Sequence, residues 1–171
     1  MPQITEKIIL IDPDKCTGCH RCEIACSIKH FGVCSPSYSR IKIHEFLDVN
    51  TFIPVTCQAC EDAICINVCP MNARVRQASG TVVTDEERCV GCRGCIYACP
   101  FGASMVNPET GKTMSCDRCV DDESGPWCVR ACKMHKAITF VKANDAAGAR
   151  GREWARRLKD VCGVPSVIKI R

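Results

Sequence analysis

The sequence is poor in the residues that usually build a core. Only nine of its 171 residues are aromatic: five Phe, two Tyr and two Trp. The apolar share of 46% counts 18 cysteines. Without them it falls to about 35%, against about 45–50% in ordinary domains. Something other than aliphatic and aromatic packing must therefore fill the centre. No apolar run approaches the roughly 18 residues of a membrane helix, so no direct membrane span is expected. The opening MPQITEKIILID has no basic region, no apolar stretch of signal-peptide length and no twin arginine. A secreted disulfide scaffold is thus not expected, and a reducing cytoplasmic setting is. There is no Gly-rich nucleotide loop and no nucleophile–base pattern, so no catalytic residue is expected. The formal charge of +4 is scattered, which argues against a nucleic-acid partner.

What the chain has is cysteine in ordered groups. Motif three reads CVGCRGCIYACP, with Cys89, Cys92, Cys95 and Cys99 before Pro100. Motif one has the same intervals at Cys16, Cys19, Cys22 and Cys26, but Ser27 replaces the proline. Motif two, at Cys57, Cys60, Cys65 and Cys69 before Pro70, widens one interval. Motif four, at Cys116, Cys119, Cys128 and Cys132, holds a polar insert with Asp121, Asp122, Glu123, Gly125 and Pro126. The order tight, stretched, tight, stretched reads as a duplicated two-motif unit.

The tight spacing is the bacterial signature of a [4Fe–4S] cluster, whose fourth cysteine serves a neighbouring cluster in two-cluster ferredoxins. Sixteen motif cysteines match four such clusters and leave Cys34 and Cys162 over. Zinc knuckles use paired cysteines, for which the third close cysteine of a tight motif is superfluous. Each oxidised cluster with four thiolates carries about −2, so four would bring the chain near −4. The Lys and Arg excess then balances cluster charge. The small residues Gly18, Gly91, Gly94, Ala25 and Ala98 would let backbone amides approach sulfur.

Short strands are predicted at residues 7–11, 40–46, 51–55, 74–77, 81–84, 103–106, 112–114 and 137–142. Ser79-Gly80 marks one hairpin, and Asn107-Pro108 with Gly111 a second. Beyond Asn144, Trp154, Leu158 and Val161 fall at helical spacing among arginines, and residues 167–170 suggest a closing strand. His30, His44 and His135 carry no ligand pattern. His20 and Arg21 are expected at the surface, and Ile96 and Tyr97 are expected to pack around clusters.

The four motifs together resemble the four-cluster ferredoxin-like electron-transfer subunits of the DMSO-reductase iron–sulfur type. The resemblance spans residues 7–141. It implies an α+β fold: two nested pseudo-twofold bacterial-ferredoxin-like units, with short strands and helices around four [4Fe–4S] clusters. The core would occupy residues 1–143, with an inner unit at about 52–106 and an outer unit at about 1–51 plus 107–143. Residues 144–171 would form a helical extension. The resemblance also implies crossed ligation. Cys16, Cys19 and Cys22 would hold a cluster with Cys132, and Cys116, Cys119 and Cys128 one with Cys26. Cys57, Cys60 and Cys65 would pair with Cys99, and Cys89, Cys92 and Cys95 with Cys69. The expected role is to carry single electrons to or from a catalytic oxidoreductase subunit and a second donor or acceptor. The stretch ACSIKHFGVCSPSYSRIKI looks most like subunits accompanying tungsten enzymes of the aldehyde ferredoxin oxidoreductase type, which include benzoyl-CoA reductases. A molybdenum enzyme, hydrogenase, formate dehydrogenase or carbon-monoxide dehydrogenase partner, or a free polyferredoxin, are the alternatives.

Overall fold

The structure is a computed structural model that describes residues 7–142 and Asp145. The predicted helix at Trp154, the strand at 167–170 and Cys162 lie outside the described residues. The fold is a small mixture of short helices and two-stranded ribbons. Strand β1 (Lys7–Ile11) pairs antiparallel with β8 (Ile138–Lys142), Ile9 standing opposite Phe140. Strands β2 (Lys42–Phe46) and β3 (Thr51–Val55) form a hairpin whose turn places Asn50 in the left-handed region. Strands β4 (Arg74–Arg76) and β5 (Val82–Thr84) form a second hairpin, and β6 (Ser104–Val106) and β7 (Thr113–Ser115) a third. The strand predicted from residue 40 starts two residues later. Ser39 Oγ donates to Ile41 O at 2.6 Å and accepts from Ile41 N at 3.2 Å, which closes a local turn in place of a ladder.

Helix α1 (Arg21–Phe31) grows out of motif one and ends at Gly32, whose φ of 69° permits the left-handed stop. Helices α2 (Ile64–Asn67), α3 (Gly94–Tyr97) and α4 (Trp127–Ala131) are about one turn each. They carry the third cysteine of motifs two, three and four. Helix α1 packs on α4, α2 packs on α3, and β5 lies beside β7. Contacts thus join elements far apart in sequence, as α1 with α4, as well as elements closer together, as α2 with α3.

The buried cluster at the centre consists of Ile9, Cys22, Cys26, Ile41, Cys116, Cys128 and Ile138. Four of those seven are cysteines, in keeping with the thin apolar composition. The largest fully buried side chain is Arg74. Among the described residues no helix is long and apolar enough to cross a membrane.

Candidate metal centres

Each motif opens with the same turn. The residue before the second cysteine has a left-handed backbone: Gly18 at φ 67°, Ala59 at 50°, Gly91 at 71° and Arg118 at 61°. This conformation turns successive amides into a concave nest for an anion. The amide of Gly18 bonds to Cys16, that of Ala59 to Cys57, and that of Arg118 to Cys116, the last at 3.3 Å. The glycines suit the turn without a Cβ penalty; Ala59 and Arg118 accept it.

The fourth cysteines receive amides from outside their motifs. Ala73 N donates to Cys69 Sγ at 3.2 Å and Ala103 N to Cys99 Sγ at 3.4 Å. Both donors follow a Cys-Pro-x-x-Ala turn and lie buried just before a strand. Arg40 N donates to Cys26 Sγ at 3.3 Å. Gly18 thus acts as the small-residue reading expects, whereas the donors to these fourth cysteines are Ala73, Ala103 and Arg40.

The motif cysteines group across motifs. Cys16, Cys19, Cys22 and Cys132 line one cavity with Ile43, Pro54 and His135. Cys89, Cys92 and Cys95 line another, joined by Cys69 and Arg74. Cys26, Cys116, Cys119 and Cys128 are all buried, and a charge on Cys26 would raise each of the other three thiols, as it can only from nearby. Cys57 senses Cys65 and Cys60. Cys99 follows α3, which rests on α2, the helix that carries Cys65.

All seventeen described cysteines are free thiols. Burial pushes the Cys22 and Cys116 thiols up to about 12 and Cys119 to about 11. It also pushes Cys128 well above the ordinary thiol value, and raises Cys16, Cys26 and Cys57. Desolvation disfavours a lone thiolate, so these donors need a cation beside them to ionise. Cys69 differs. Burial pushes it up, but the amides of Ala73, Arg74 and Met71 and the Arg74 charge bring it below the ordinary value.

Three arginines gather near motif two. Arg74 is 2% exposed. Its Nη1 donates to Thr84 Oγ1 at 2.7 Å and to Ser115 Oγ at 3.1 Å, and its Nη2 lies 3.8 Å from Cys65 Sγ. Its Nε has no hydrogen-bond partner among the described residues. Arg118 reaches Lys7 O at 3.2 Å and Gln58 O at 3.4 Å. Arg76 donates to Gly80 O at 2.9 Å, to Glu61 O at 3.1 Å and to Cys60 O. Nothing in the spacing of the sequence marks these residues, because position along the chain says nothing about where a guanidinium ends.

Two other positions stand out, and at Tyr97 the expectation fails. His30 Nε2 lies 3.8 Å from Cys119 Sγ and 3.5 Å from Asp117 Oδ1, so a histidine without a ligand pattern sits against a motif cysteine. Tyr97 is 83% exposed and does not pack inward. The single turn of α3 directs Cys95 to the interior, and Tyr97, two residues on, faces away. His20 is half-buried, and bridges Glu23 at 2.6 Å and Glu45 at 2.8 Å. Cys34 is an exposed thiol.

Residues 49–142 match the family described as 4Fe-4S dicluster domain, and residues 7–27 match a 4Fe-4S binding domain. The chain belongs to the 4Fe-4S dicluster domain family. It is 40% identical over 147 residues to the aliphatic sulfonate oxidoreductase polyferredoxin-like subunit of Pyrococcus furiosus, covering 83% of this chain and 82% of that one. It is 35% identical over 152 residues to the electron transport protein HydN of Escherichia coli strain K12, covering 77% and 86%. A solved structure of the BamBC active-site complex of benzoyl coenzyme A reductase aligns with a TM-score of 0.48 at 24% identity, over 79% of this chain and 75% of that one. As a member of this family the chain is an electron-transfer iron–sulfur protein with [4Fe–4S] clusters as cofactors. The donor set fits them: thiols in convergent groups, six of them buried, with backbone amides aimed at several of the sulfurs.

Proposed function

We propose that this chain holds four [4Fe–4S] clusters and serves as the electron-transfer subunit of an oxidoreductase complex. The reading rests on the cavities that cross motif boundaries, above all Cys132 beside Cys16, Cys19 and Cys22. Cys69 beside Cys89, Cys92 and Cys95 repeats the relation. By the same logic Cys26 joins Cys116, Cys119 and Cys128. Cys99 joins Cys57, Cys60 and Cys65, because its Cys-Pro-x-x-Ala turn mirrors that of Cys69. Two nested ferredoxin-like units follow, the inner at about 52–106 and the outer from about 1–51 plus 107–143, with 144–171 as an extension.

Each cluster supplies a one-electron couple with little change of geometry. The chain's own residues set the order and spacing of the sites and tune them through amides, burial and charge. The partner in this reading is a catalytic subunit that contains tungsten or molybdenum. The Pyrococcus furiosus relative, named as a subunit of an oxidoreductase, supports a fixed complex. A second donor or acceptor would meet the chain elsewhere. The reducing cytoplasm suits so many uncrosslinked thiols.

Anaerobic iron and sulfide analysis tests the cluster number. About sixteen iron atoms per chain are expected, four per cubane; about eight would remove the four-cluster reading. Affinity purification from anaerobic cells tests the complex. Co-purification of a tungsten or molybdenum subunit supports it, and recovery of the chain alone would instead indicate a free carrier.

A further inference from the structure

Among the described residues, the buried charge near motif two has no carboxylate to answer it. Among the described residues, the ion pairs of Arg40, Arg88, Arg130 and Lys29 all end on aspartates. Arg74, Arg76 and Arg118 end on hydroxyls, backbone carbonyls and the Cys65 sulfur. Glu61 and Asp62 stand on the same loop, but both are exposed and neither carboxylate pairs with these arginines. A buried, unpaired cation costs several kcal/mol unless something negative stands beside it. Cluster sites supply that charge, about −2 each with their thiolates.

The arginines are shared unequally. Arg74 adjoins Cys65 and acts electrostatically on Cys57, and it also lines the cavity of motif three. Arg118 acts on Cys116 first and on Cys57 after it, and Arg76 bonds the backbone of Cys60. Motif two is the one site that all three touch. The motif-four site contrasts with it. Asp117 and Asp121 bear on Cys119, and the nearby cations Arg40 and Lys29 are tied to those carboxylates.

We propose that Arg74, Arg76 and Arg118 make the site of Cys57, Cys60 and Cys65 the most readily reduced of the four, the place where an electron entering this chain comes to rest. Reduction adds one negative charge and no proton. Positive charge held at short range in a low-dielectric interior favours the reduced state. The arginines act through the site's electrostatics and do not ligate. The inference rests on the four-cluster reading above.

The experiment is an anaerobic redox titration of the full chain followed by electron paramagnetic resonance. Cys60→Ala marks the motif-two signal by removing it. That signal should be the first to appear as the unaltered protein is reduced. In Arg74→Gln and in Arg118→Gln it should need a lower potential, about tenfold in reduced-to-oxidised ratio, or about 59 mV for a one-electron couple. Arg74→Lys, which keeps the charge, should stay near the unaltered protein. If Arg74→Gln loses iron, the half-buried Arg76→Gln carries the test, with a smaller shift of the same signal. A first signal that survives Cys60→Ala, or arginine variants with unmoved potentials, would overturn the proposal. Iron analysis separates the two ideas. Sixteen irons with another site reduced first defeats only this inference, and about eight irons defeats the cluster count.

Discussion

Cys69, the last cysteine of motif two, lines the same cavity as Cys92 of motif three. The turn at Pro70 and the amide of Ala73 hold its sulfur there, 3.2 Å from that nitrogen. Cys69→Ser and Cys92→Ser should therefore abolish the same paramagnetic signal, while Cys60→Ser abolishes a different one. Each should lower the iron content by about four atoms, one cubane. Loss of one common signal in Cys69→Ser and Cys60→Ser would instead mean that each motif binds by itself.

Gly18 cannot become alanine cheaply. Its φ is 67°, and a Cβ there would lie 2.5 Å from Cδ1 of Phe52. The left-handed backbone costs about 1–2 kcal/mol for a residue with a side chain, and crowding a packed ring adds about 1–3 kcal/mol. Gly18→Ala should lose its visible cluster absorbance at a clearly lower temperature. Adding Phe52→Ala should recover part of that loss, since it removes the clash and leaves the backbone strain.

Ala59 offers the opposite test in the same turn of motif two. Its φ of 50° is already strained. Ala59→Gly should stabilise by up to about 1 kcal/mol, read as later bleaching on heating. Earlier bleaching would show that the methyl group contributes packing that outweighs the strain.

Glu23 ties α1 to β2. It is 3% exposed, accepts Ile43 N at 2.9 Å, and bonds His20 at 2.6 Å. Glu23→Ala leaves the Ile43 amide unpaired and should cost about 1–3 kcal/mol in denaturant titration. Glu23→Gln keeps an oxygen for that amide and should cost less. Equal losses in the two variants would assign the effect to the carboxylate charge instead.

Much of this arrangement is legible from spacing, and the reason is chemical. A C-x2-C-x2-C-x3-C run has few uses, so the cofactor class and the family follow from intervals alone. The alternation IKIHEF around β2 and the short apolar run KIILI of β1 show their strands for similar reasons. What escapes spacing depends on three-dimensional approach. The donors to Cys69 and Cys99 are alanine amides, and every residue except proline has one. Arg118 adopts the conformation that Gly18 and Gly91 adopt, but arginine gives no hint of it in sequence. Tyr97 reads as core by composition and is turned outward by a helix only one turn long. His30 reaches Cys119 because α1 lies near the motif-four turn, a contact between segments far apart in the chain.

The pairing of β1 with β8 also bears on how the protein is made. Ribosomes release chains from the N-terminus, and loops that join distant segments close late. Cys16, Cys19 and Cys22 emerge early, yet their cavity is completed by Cys132, which emerges after every other motif cysteine. Motifs two and three have their cavity partner close at hand in sequence. Under the crossed ligation proposed above, the middle of the chain would be ready for iron during synthesis while the first thiols to appear would still be waiting. Those early thiols are the ones that oxygen and stray metals have longest to reach.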